Sequence, residues 1–183
     1  MKMKHFFAVF LALGVVLGTS SLAMAAEVKL KDYNAVVVQD LEVPSGSPAP
    51  ESAGLQMAEK AVYQIQRYNQ SNKLFDTVIK EGGKGSKETP SGKKVLIIKG
   101  EVKEYTPPTV GGRVGRSFIP GVGGHLGSAS FAAHYKFIDK DSGNVIYETD
   151  LRTSSTGAND TVEYAMDRNG EALAKIITKS KGK

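Results

Sequence analysis

Residues 128–152 read SASFAAHYKFIDKDSGNVIYETDLR, and this stretch decides the fold. Ala129, Phe131, Ala133, Tyr135 and Phe137 fall on every second position, with Ser130, Ala132, His134 and Lys136 between them. A period of two sends successive side chains to opposite faces of a sheet, so Ser128 to Ile138 is predicted to be a strand with one apolar face. Asp139-Lys140-Asp141-Ser142-Gly143-Asn144 follows as hairpin chemistry, with Gly143 able to take a positive φ, and Val145 to Leu151 returns as the partner strand.

Upstream, Val95 to Tyr105 (VLIIKGEVKEY) sets Leu96, Ile98, Gly100 and Val102 against Ile97, Lys99, Glu101 and Lys103, which reads as a third strand, apolar on one side. Tyr33 to Val43 (YNAVVVQDLEV) and Leu74 to Ile79 (LFDTVI) read as two more strands. The first ends at residues 44–50 (PSGSPAP), where three prolines forbid regular structure. From Ser52 the period changes: Leu55, Ala58, Val62, Ile65 and Tyr68 recur at three and four residue steps, with Glu59, Lys60, Gln64 and Arg67 between them, the mark of an amphipathic helix. Asp160 with Glu163 is a capping-box variant ahead of Val162, Ala165, Met166, Leu173, Ile176 and Ile177, one face of a second helix. Gly170 inside it costs about 1 kcal/mol relative to alanine and marks a point where the helix can kink or break. The expected fold is α+β: a two-layer sandwich in which a mostly antiparallel sheet of about five strands carries both helices on one face. No internal repeat is visible.

The N-terminus is read separately from the fold. Lys2 and Lys4, an apolar run from Phe6 to Leu17, and Ala23-Met24-Ala25 stand in the order of a secretory signal. The apolar run falls short of the roughly 20 residues that cross a bilayer, so a transmembrane anchor is not expected. Residues 1–25 are assigned as a signal peptide cleaved near Ala25, and 26–183 as one α+β domain with flexible loops at 81–94 and 106–127, exported to the periplasm or beyond the cell. The chain has no cysteine, so neither a lipid anchor nor a disulfide is expected, and stability must come from a packed core. Removal of Lys2 and Lys4 lowers the formal charge of +5 by two, to +3. That excess is mild, and no clustered lysines with interleaved aromatics form a nucleic-acid face. An anionic surface polymer or an envelope protein fits it better as a partner.

Residues 111–127 hold seven glycines in seventeen positions. Gly121-Val122-Gly123 opens a dinucleotide fingerprint, but position 126 is Leu126, and a strand follows where a helix is needed. Arg113 and Arg116 among Gly111, Gly112 and Gly115, with His125 further along, are the candidate ligand-binding residues: two guanidinium groups and free N–H donors suit a carboxylate or phosphate. The plain alternative is a loop with solubilising arginines. His125 and His134 lack the ligands a zinc site needs, so no metal and no cofactor is expected, and His134 is placed on the wet face of its strand. Ser91 and Lys94 match S-x-x-K in a loop with nothing to hold them, and Glu101 and Glu104 are read as opposite faces of a solvated edge strand. No catalytic residue is assigned.

The strand, the hairpin D-x-x-[ST]-G-x-[VI] (Asp139, Ser142, Gly143, Val145) and the return strand together resemble a bacterial envelope family known only as a domain of unknown function, the 4410 type. The resemblance runs from about Tyr33 to Lys179. Many members look like lipoproteins, whereas this chain has no cysteine for such a tether. The order of elements is also similar to the α/β domain of the curli-secretion lipoprotein and the N-terminal domain of the translocation protein TolB. These resemblances imply envelope assembly or scaffolding and bring no catalytic residues. The functional expectation is a non-enzymatic exported binding or assembly module; a homo-oligomeric structural protein and an envelope hydrolase are the alternatives.

Overall fold

A computed structural model describes residues 30–82, 92–109, 128–155 and 160–183. The assigned signal peptide, most of both loops, Ser91, Arg113, Arg116 and His125 lie outside the described residues.

The chain runs β1 (Ala35–Val38), α1 (Ala53–Asn72), β2 (Thr77–Lys80), β3 (Val95–Thr106), β4 (Ser130–Asp139), β5 (Val145–Ser154) and α2 (Val162–Ser180). The five strands form one open sheet in the order β2-β1-β3-β4-β5. The three long strands pair antiparallel, β3 with β4 and β4 with β5. Short β1 pairs parallel with both β2 and β3. The α+β sandwich read from the sequence is therefore the fold, with a short parallel corner where α1 carries the chain back alongside β1.

The hairpin follows its residues closely. Asp139 Oδ1 accepts from the backbone N–H groups of Asp141 (3.1 Å) and Ser142 (2.9 Å) and from the Ser142 hydroxyl (3.1 Å), an Asx-turn. Gly143 takes φ +71°, a conformation that costs other residues steric strain.

The core lies between the sheet and the helices. Phe131, Ala133, Tyr135 and Phe137 of β4, Leu96, Ile98 and Val102 of β3, and Val36 and Val38 of β1 are buried with Met57, Ala58, Ala61 and Ile65 of α1 and Met166, Leu173, Ala174 and Ile177 of α2. The opposite sheet face holds a small second cluster, Ala35, Val37, Ile79 and Val95.

Four local expectations are corrected. The stretch 33–43 is not one strand: β1 stops at Val38, Leu41 turns inward, and pairing resumes only as a parallel bridge from Glu42 to Glu101. The buried stripe of α1 is Ala53, Met57, Ala58, Ala61, Gln64 and Ile65, so Leu55 is exposed; small alanines and a glutamine let the two helices approach closely. Thr161, not Asp160, caps α2, accepting from Tyr164 N–H at 3.1 Å, while Asp160 accepts from Ala129 N–H at 3.0 Å and ties the helix entry to β4. Finally, α2 runs unbroken through Gly170, where a Cβ would stand 3.1 Å from the Lys60 carbonyl oxygen. The missing side chain is what lets α1 and α2 pack.

Candidate functional site

With the helices on one face, the other face of β3, β4 and β5 is free to carry polar chemistry, and the register arranges it in rows. Lys99, Lys136 and Glu148 form one row, Glu101, His134 and Asp150 the next, and Glu104, Ala132 and Arg152 a third. A bulge creates the third row: the ladder passes from Val102 opposite Ala133 to Glu104 opposite Ala132, skipping Lys103. The extra residue flips the alternation, so Glu101 and Glu104 share a face instead of standing on opposite ones. Nor is β3 an edge, since β1 and β4 flank it.

Opposite charges interleave along these rows. Lys136 Nζ lies 3.4 Å from Glu148 Oε1, and Lys103 Nζ 2.6 Å from Glu101 Oε2. Arg152 reaches across the small Ala132 and grips Glu104 at both ends, Nε donating to Oε2 at 2.7 Å and Nη2 to Oε1 at 3.0 Å. That grip, with further hydrogen bonds from the Ser130 and Thr106 hydroxyls, holds the Glu104 carboxyl at about 2 against the pull of partial burial.

His134 stands on the open face, as its alternation predicts, with its side chain 18% exposed. Its Nδ1 lies 2.9 Å from Asp150 Oδ1 and its Nε2 3.4 Å from Glu148 Oε2. A carboxylate faces each ring nitrogen, and Asp150 is 78% exposed, so the trio sits on a surface rather than in a cleft. Nucleophilic catalysis needs one nitrogen turned to a nucleophile, and the arrangement does not offer it. Among the described residues no group of three or more histidines and carboxylates is placed to hold a metal ion.

The edge of this face is β5. Ser155 N–H donates to the Ala129 carbonyl at 2.8 Å, so by the two-residue period the backbone groups of Ser154, Arg152, Asp150 and Glu148 point away from β4. Arg168 Nη1 donates to the Ser154 carbonyl at 3.1 Å; the outward backbone groups of Glu148, Asp150 and Arg152 make no hydrogen bond to another described residue. The charged alternation of Glu148, Asp150 and Arg152 is the signal in the sequence that marks this surface, and a search for ligand-binding motifs passes over it. The candidate ligand-binding residues Arg113, Arg116 and His125 lie outside the described residues.

No helix among the described residues is long and apolar enough to cross a membrane. No family model matches the chain, and no curated protein does. Among solved structures it is similar to the PelC dodecamer of Paraburkholderia phytofirmans, at TM-score 0.53 and 12% identity over 81% of this chain and 90% of that one. A point variant of the same dodecamer gives TM-score 0.51 and 14% identity over 81% and 89%. A Xanthomonas campestris protein described by the family model DUF330 gives 0.48 and 12% over 81% and 87%. At such identities the PelC likeness establishes the fold.

Proposed function

We propose that the chain is a non-enzymatic assembly module of the bacterial envelope, exported by its leader and joined to further copies of itself along β5. The observation that carries this reading is the stretch Glu148 to Arg152 of a ten-residue strand that, among the described residues, is the last of the sheet and has no strand paired on its outer side. Such an edge is a template for another strand. A second copy suits it by charge: if two β5 strands run antiparallel with Leu151 on the two-fold axis, Asp150 stands opposite the partner's Arg152 and Glu148 opposite the partner's Ser154. Support also comes from the leader-like N-terminus, from the resemblance to envelope domains, and from the likeness to a protein whose structure is a dodecamer.

The test is the mass in solution of the protein purified from the exported fraction, by size exclusion with light scattering. The expected result is a discrete oligomer, reduced to monomer by Asp150→Pro and retained by Asp150→Ala. Both variants lose the carboxylate beside His134, and from the backbone the proline removes only an N–H that points away from β4, so the fold is kept while strand addition is blocked. A strict monomer at high concentration overturns the reading.

A further inference from the structure

We propose that a basic pocket at the corner where both helices end binds a phosphate monoester on a body no larger than one sugar ring. The site is complete within a single chain and stands independently of pairing along β5.

The pocket has a volume of about 230 Å³ and is lined by Lys31, Lys73, Lys181 and Lys183 together with Tyr33 and Asp76. Its walls are fixed by the backbone. Leu30 N–H donates to the Ser180 carbonyl at 2.9 Å, tying the N-terminal segment to the end of α2. Asp76 N–H donates to the Asn34 carbonyl at 2.8 Å. Asn69 clamps Phe75 from both sides, accepting from its N–H at 2.8 Å and donating to its carbonyl at 2.9 Å. Lys73 ends α1 in the left-handed conformation, φ +53°.

Lys181 is the informative residue. It is only 9% exposed, and its ammonium donates to the Tyr33 carbonyl and lies 4.3 Å from the centre of the Phe75 ring. Among the described residues, a carbonyl and a ring are the partners of this buried cation. Burial pulls its pKa below the ordinary lysine value, with the charges of Asp76 and Asp32 opposing at longer range. Asp76, the one acidic side chain among the described lining residues, is already paired with Lys93 at 2.8 Å.

The charge balance decides what the corner attracts. Helix C-termini attract cations, but each carries only about half a negative charge, so two of them supply roughly one against four lysines. Even with Asp32 and a chain-terminal carboxylate added, and Asp76 offset by Lys93, the corner keeps a positive excess. Lysines are point charges with rotatable donors, which suit the three oxygens of a phosphate; the arginine forks that read a planar carboxylate are absent from the lining. The volume lies below the roughly 300 Å³ at which pockets for drug-sized ligands begin, so the body attached to the phosphate is small.

Calorimetric titration of the whole exported protein at constant ionic strength tests the proposal, with a hexose phosphate, inorganic phosphate and a hexuronate as probes. The expected result is one saturable site for hexose phosphate, several-fold tighter than for inorganic phosphate and tenfold or more tighter than for the uronate. The double variant Lys31→Gln/Lys73→Asn removes two exposed charges while asparagine tolerates the left-handed position, and it is expected to weaken binding at least tenfold with the thermal midpoint kept. Equal affinity for inorganic phosphate overturns the sugar-sized body. Absence of saturation, parity with the uronate, or undiminished binding by the double variant overturns the site.

Discussion

Glu104 and Asp139 are the carboxylates pulled furthest down among the described residues, and they contribute to the molecule's response to acid. Glu104 is held at about 2 by Arg152, and Asp139 at about 2 by the turn N–H of Ser142 and the Tyr33 hydroxyl, which donates at 2.8 Å. Both folded-state values lie below the ordinary carboxylate range, so their stabilisation is present above pH 4.5 and is lost as the pH falls toward 2. Urea unfolding measured across that window is expected to show falling stability. Glu104→Gln should flatten the fall and cost about 0.5–1 kcal/mol at neutral pH, the range of a partly exposed ion pair. Deeper in, Asn169 is fully buried; it accepts from the Tyr135 hydroxyl at 2.7 Å and donates to the Leu151 carbonyl at 3.0 Å. Asn169→Leu strands that hydroxyl and is expected to cost about 1–3 kcal/mol, against about 1 for Tyr135→Phe. In urea denaturation the double variant should cost less than the sum, because no hydroxyl is then left unpaired.

At the scale of elements, Gly170 is read differently once α1 is in place. Propensity marks it as a weak point, yet the close carbonyl of Lys60 makes it the contact that sets the spacing of the helices. Gly170→Leu is expected to lower stability by about 1–3 kcal/mol in chemical denaturation, although leucine is the better helix former, because the added volume forces α1 and α2 apart. The bulge at Lys103 teaches the same lesson in the sheet: one unpaired residue moves Glu104 onto the face of Glu101 and completes the grip of Arg152. Alternation in VLIIKGEVKEY shows the buried face as far as Val102 and misplaces everything after it.

At the scale of the whole molecule, the sheet order sets which surfaces remain open. β1 pairs on both sides, so its run of valines is buried throughout, whereas among the described residues β5 pairs on one side only and alternates charge with half-buried residues. The oligomer expected from that edge, and its loss with Asp150→Pro, belong to this scale, because they depend on β5 being last in the sheet. The basic corner does too, since Lys31, Lys73 and Lys181 come from three separate parts of the chain.

By itself the sequence determined the elements and the turn between β4 and β5, because periodicity and turn chemistry are local: Phe131 to Phe137 had one way to bury, and Asp139, Ser142 and Gly143 had one turn to make. It also carried the polar alternation of β5 in plain view. Only the tertiary structure decided the parallel placement of β1, the rotation of α1 that exposes Leu55, the shared face of Glu101 and Glu104, and the meeting of four lysines at one corner. These depend on which distant segments lie side by side, and a contact between residues more than a hundred positions apart, such as Tyr33 with Asp139, leaves no local pattern to read.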